Sequence, residues 1–342
     1  MTLRRPRSHR PTTRLAVLVA VAPLALAACG GSTTPATTPD DTEASPATTA
    51  AAAELPTVVV TYTVLASVVS DLVGDAATVV TIIPDGTDPH AFEASAKDVE
   101  AITTADIVVS NGLGLEEGLE TVLDTTEASG VPVFHVADHI TVRELAEGDH
   151  DHDDHGDHGD DGTEDAAKED GDHHHGSDDP HLWLSPATLA EAVPAMATAI
   201  GAAIGVDLSG AATEVRTALD ALDAEIAALV ATLEECELVT GHDELGYFAD
   251  RYGCEVIGAV IPSLSTTAEA TAKDIAELRE EVQTHGVTAV FTGLGTPPEV
   301  AARVASDAGA TLVELQTHAL GDASDYGDFM LALTRTIVDA LD

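Results

Sequence analysis

Apolar residues along the chain fall into two alternating patterns. Short β-branched runs read as strands, and Ala-rich helical stretches separate them, the arrangement of parallel βα units. The first half has strand candidates at Thr57 to Tyr62, Thr78 to Ile83, Ile107 to Ser110 and Val131 to Phe134. The second half has them at Leu238 to Thr240, Glu255 to Ala259, Ala289 to Thr292 and Thr311 to Leu315. Between the two sets, Ser185 to Glu235 shows no strand pattern. Its second part, Ala211 to Leu233, repeats Val215, Leu219, Leu222, Ile226, Leu229 and Leu233 at spacings of three and four, which predicts one long amphipathic helix. The expected fold is therefore α/β, with two similar lobes of parallel four-stranded sheet joined by a long rigid helix. On this reading residues 56–185 form the first lobe, 186–236 a helical linker and 237–342 the second lobe.

The pattern changes at the N-terminus. Arg4, Arg5, Arg7, Arg10 and Arg14 precede an uncharged apolar run from Leu15 to Ala28, too short for the roughly 20 residues of a membrane span. A basic region followed by a short apolar region is a signal peptide, residues 1–28. The run ends in Leu26-Ala27-Ala28-Cys29, which resembles a bacterial lipobox, so Cys29 is expected to be lipidated and to anchor the chain to the membrane. Residues 29–55, mostly small, polar and acidic, then read as a flexible tether.

Charge narrows the partners. The chain has 60 acidic and 14 basic side chains, and loss of residues 1–28 removes five arginines and no acid. Such a field repels nucleic acid and anionic lipid and attracts cations. With Cys29 used for lipid, Cys236 and Cys254 remain, an even pair in an oxidising compartment, each at the start of a strand candidate. Two readings stay open here: a disulfide, or two reduced buried thiols.

Histidine carries the candidate chemistry. Glu147 to Pro180 holds twelve Asp, three Glu and seven His (His150, His152, His155, His158, His173, His174 and His175), with nothing apolar larger than alanine. It is expected to be a disordered loop, suited to weak multi-site metal capture because neutral imidazole is a good ligand for Zn, Cu and Ni. Four other histidines lie in defined loops. His90 follows Pro84-Asp85-Gly86-Thr87-Asp88-Pro89; His181 follows Asp179-Pro180; His242 lies in Thr240-Gly241-His242-Asp243; His318 lies in Leu315-Gln316-Thr317-His318. At least three of them end a strand candidate, where ligands collect in parallel α/β sheets. Two come from each lobe, which places a metal site in the cleft between them. His135, His139 and His285 lack this context, and His285 before Gly286 reads as a helix terminus.

Residues 57 to 342 resemble the solute-binding lipoproteins of zinc and manganese ABC importers, and more closely the zinc-uptake branch. The matching stretches run from Pro84 to Glu93, from Ala105 to Glu116, from Asp179 to Pro186 and from Gly241 to Phe248. The resemblance implies a metal between two α/β lobes, ligand roles for His90, His181 and His242, a membrane permease and its ATPase as partners, and a monomeric receptor outside the cytoplasm. Zinc is the expected cargo, because manganese prefers oxygen donors and its branch commonly has a carboxylate where this chain has His242. At the fourth position the family commonly shows Asp; here His318 stands there, and either it or water would complete the site. Three histidines plus water would also suit a hydrolytic zinc enzyme. Yet the chain has no His-Glu-x-x-His, Gly-x-Ser-x-Gly or Walker motif, and the expectation is a non-enzyme. The alternatives are a receptor for manganese or another divalent metal, or a surface lipoprotein for metal buffering or adhesion.

Overall fold

Val58, Val59 and Val60 are apolar at consecutive positions because the strand they occupy is covered on both faces. In the computed structural model, which describes residues 55–143 and 178–342, that strand is β1 (Thr57–Tyr62). It continues directly into α1 (Thr63–Val73) and returns as β2 (Thr78–Ile83). The chain then runs through α2 (Ala96–Thr103), β3 (Ile107–Ser110), α3 (Glu120–Ala128) and β4 (Val133–His135). Ser95 starts α2 through a capping box with Asp98, which satisfies two amide donors at the helix end. The strands form one parallel sheet in the order β2-β1-β3-β4, with Val59 opposite both Val80 and Val108. The expected signal peptide, Cys29, residues 30–54 of the expected tether and all seven histidines of the acidic tract lie outside the described residues.

The helical stretch holds two helices, the second of which is the expected long one. In α4 (Pro186–Ile204) Ser185 caps the first turn and Gly205, at φ 73°, ends the helix in a left-handed conformation that favours glycine. The predicted long helix is α5 (Ser209–Val230), about 33 Å long at the usual rise per residue. It buries a stripe of Ala212, Leu219, Ile226 and Val230.

The second lobe contains β5 (Glu237–His242), α6 (Gly246–Tyr252), β6 (Glu255–Ile261), α7 (Ala272–His285), β7 (Ala289–Thr292), α8 (Pro298–Ala308) and β8 (Thr311–Glu314). All pairing is parallel, but the described ladders are two pairs, β5-β6 and β7-β8, rather than a single four-stranded sheet. β5 and β7 pack side by side, and β5 carries a register irregularity at Leu238/Val239, of the kind that twists a strand and interrupts pairing. Cys236 and Cys254 form a disulfide at the start of β5 and β6.

The last helix, α9 (Tyr326–Leu341), departs from the expected lobe boundary. Its apolar stripe of Tyr326, Phe329, Met330, Leu333 and Ile337 packs on α5 and α1, so it returns to the first half of the chain. The physical cause is amphipathicity: a helix with one apolar stripe must bury it, and α5 and α1 supply the surface. One hydrophobic core therefore runs from the first sheet through α4, α5 and α9, while Val239, Val260, Leu278, Val282, Val290 and Val304 form a smaller core within the second lobe.

Candidate metal centre

His90, His181, His242 and His318 meet where the strand ends of the two lobes face each other. All four are buried, and one nitrogen from each lies within 4.8 Å of one nitrogen of every other. The Nε2 atoms of His90 and His181 are 3.3 Å apart, and those of His242 and His181 are 3.1 Å apart. Of the remaining histidines, His135 bonds Ser110, His139 stacks on Phe134, and His285 ends α7 beside Glu237.

Each ring is aimed by a local device. In both Asp-Pro-His segments the Asp side chain accepts the backbone N–H of the histidine two residues on, at 3.0 Å for Asp88 and His90 and 2.9 Å for Asp179 and His181. Asp179 does more, because the same oxygen lies 2.8 Å from His181 Nδ1. That contact holds a proton on Nδ1 and leaves the Nε2 lone pair facing the other three rings. Asp179 is itself held by Arg143. Asn111 fixes the carbonyl of Pro180, one residue before His181, and buried Glu116 accepts from the Asn111 amide and from Thr61. This accounts for Asn111 and Glu116 in that part of the motif. Trp183 closes the floor, its indole N–H donating to the carbonyl of Thr317 at 2.8 Å. His318 Nδ1 lies 2.9 Å from Thr317 Oγ1, while its Nε2 has no partner in the protein.

Burial decides the charge state of three of the rings. Desolvation, followed by the neighbouring imidazoles, lowers His90 to about 3 and holds His242 and His318 well below the ordinary histidine value. Burial acts oppositely on a carboxylic acid and pushes Glu244 up to about 7. Around His90 the cleft opens into a hollow of about 640 Å³ lined by Leu113, Glu117, Glu120, Asp178, Pro180 and Leu264, among others. Leu113 adopts φ 56°, strained for a branched side chain, between Gly112 and Gly114, which are left-handed too.

Sequence reasoning did not single out Asp88, Asp179, Thr317 or Glu244 as supports of the rings. The repeated Asp-Pro-His tripeptide was a signal for the first two. Nothing local marks Glu244 or Thr317, whose roles depend on two loops meeting.

The described residues resemble known proteins throughout. "Zinc-binding lipoprotein AdcA" of Streptococcus pneumoniae is 28% identical over 259 residues, 74% of this chain but 48% of that protein, so the chain spans about half of that relative. "Manganese-binding lipoprotein MntA" of Halalkalibacterium halodurans is 26% identical, covering 83% of this chain and 88% of that one. Among solved structures, the periplasmic zinc-binding protein TroA from Treponema pallidum superposes with a TM-score of 0.70 at 25% identity, covering 84% of this chain and 99% of that chain. The family model for "Zinc-uptake complex component A periplasmic" matches residues 58–340, and the chain belongs to that family.

Proposed function

We propose that the protein captures Zn²⁺ outside the cytoplasm and delivers it to the membrane permease of an ATP-driven importer, anchored to the membrane through lipidated Cys29. The observation that carries this is the four-imidazole cluster. A tetrahedral zinc ion with Zn–N bonds of 2.0–2.1 Å requires ligand nitrogens about 3.3 Å apart. The 3.3 and 3.1 Å separations within the cluster meet that requirement. Rings kept neutral by burial have lone pairs available without displacing protons.

Donor chemistry supports zinc over manganese as cargo. Four nitrogen donors suit zinc, whereas manganese favours carboxylate and water oxygen. His318 in the fourth place, rather than the family's usual Asp, strengthens this preference. Four protein donors also fill a tetrahedron, leaving no position for the activated water of a hydrolase, so binding and release are the activity we assign.

Isothermal titration with a competing chelator tests the reading. Wild type should bind one equivalent of Zn²⁺ tightly, and His90→Ala, His181→Ala, His242→Ala and His318→Ala should each lose on the order of a hundredfold or more in affinity, about 3 kcal/mol. Wild-type affinity in any two of the first three variants would refute the ligand set. Wild-type affinity in His318→Ala alone would replace His318 by water. A variant lacking residues 148–177 separates receptor from buffer: a receptor keeps its tight equivalent, whereas a buffer loses nearly all its capacity.

A further inference from the structure

Beneath the two histidines of the second lobe lies a carboxylate that touches no ligand nitrogen facing the cleft. Glu244 is buried, and its backbone N–H donates to the carbonyl of His242 at 2.9 Å, which ties its position to that ring. Its Oε2 is 3.7 Å from His242 Nδ1 and 3.5 Å from His318 Nδ1. The rings of His242 and His318 lie within 25° of parallel with centroids 5.3 Å apart, so a single carboxylate addresses both Nδ1 edges. Glu244 Oε2 and His242 Nδ1 are each buried with no hydrogen-bond partner. A buried donor and acceptor left unmade are expensive, and here the two orphans face each other, separated by less than an ångström beyond bonding distance. Between the two rings and the carboxylate lies Thr317, whose Oγ1 is 2.9 Å from His318 Nδ1.

Resting on the zinc-receptor reading above, we infer that Glu244 is a positioning residue for both ligands of the second lobe. Its carboxylate faces the Nδ1 edge of both rings and favours a proton there, so each ring keeps an Nε2 lone pair for the cation. Asp179 does the same for His181 on the other side of the cleft. Groups that fix the tautomer of a metal-binding imidazole are typically worth 10–100-fold in affinity.

The experiment compares wild type with Glu244→Leu, which removes both acceptor oxygens, and Glu244→Gln, which keeps one. Two readouts are taken: zinc affinity by chelator competition, and ring tautomers of the metal-free protein by long-range ¹⁵N–¹H correlation. We expect Nδ1–H tautomers for His242 and His318 in wild type. In Glu244→Leu the His242 proton should shift toward Nε2, and zinc affinity should fall roughly 10–100-fold, with Glu244→Gln in between. A merely space-filling role would leave the tautomers untouched. Should the leucine variant fail to fold, the near-isosteric glutamine variant decides both readouts. Wild-type affinity together with unchanged tautomers in the folded variants overturns the inference. Absence of a tight zinc equivalent in wild type itself would instead overturn the receptor reading, while the tautomer comparison would still judge Glu244.

Discussion

At the residue scale, burial keeps three imidazoles, those of His90, His242 and His318, in the neutral form. The low values of His90, His242 and His318 arise first from desolvation, and they fix a pH dependence. In the unfolded chain the rings titrate near 6.5, so below that pH the unfolded state binds more protons than the folded one, and protons favour unfolding. Their contribution to stability is complete above about pH 6.5 and is lost as the pH falls toward the folded values. Glu244, raised from 4.5 to about 7, acts in the opposite direction between those values, and Glu116, Asp243 and Asp71 act the same way through smaller upward shifts, so they offset part of what the three rings contribute. Metal-free protein should therefore lose stability between about pH 7 and pH 5, by a net of roughly 2–4 kcal/mol. Denaturant unfolding across that range measures it, and a flat profile would show that the rings are not buried neutral. Zinc binding should likewise survive below pH 6.5 and then fail steeply, since several rings must take protons together.

At the element scale, the C-terminal ends of the strands lead into the histidine cluster, and their N-terminal ends supply fixation. β5 delivers His242 at its last residue, while Cys236, just before its first, is bonded to Cys254, just before β6. The disulfide closes a loop with a sequence separation of 18, for which chain entropy gives about 3 kcal/mol. Replacing both cysteines with serine should lower unfolding free energy by about that amount and leave zinc affinity unchanged, because the bridge lies a strand's length from the cleft. Denaturant titration checks the first statement and chelator competition the second; a large loss of affinity would mean that the bridge sets the cleft geometry. Gly246 marks another element boundary, at the start of α6, where a Cβ would meet both Arg143 and Asp179, the residues behind His181. Only glycine lets that helix approach so closely.

At the scale of the molecule, the two lobes are tied together beside the site as well as through helices. Asp85, in the loop before His90, accepts the amides of Leu320 at 2.8 Å and Gly321 at 3.1 Å, in the loop after His318. Thr266 of the second lobe donates to Asp88 of the first at 2.7 Å. With α5 and α9 packed along each other, wide hinge opening would break a hydrophobic core, whereas local movement of these loops would not. Asp85→Ala removes an exposed, charge-assisted pair of bonds worth about 1 kcal/mol after solvent screening. It should speed zinc release about fivefold, read by stopped-flow mixing with excess chelator. An unchanged release rate would show that this latch does not control opening.

Much of this was legible in the chain. Consecutive valines in β1, the three-and-four spacing in α5 and the placement of four histidines after strand patterns are local properties, because strand and helix periodicity and turn chemistry act over a few residues. The Asp-Pro-His tripeptides are local too, and each Asp does bond its histidine's amide. What periodicity could not supply was the pairing of the second lobe's strands into two ladders, since pairing depends on twist and on neighbours distant in sequence. Nor could it place α9, whose amphipathic stripe states that a partner exists without saying that it is α5. The convergence of four rings, and the meeting of Glu244 with both Nδ1 edges, required loops separated by up to 228 positions to be brought to one point. Only the packing of the two lobes against each other decides that.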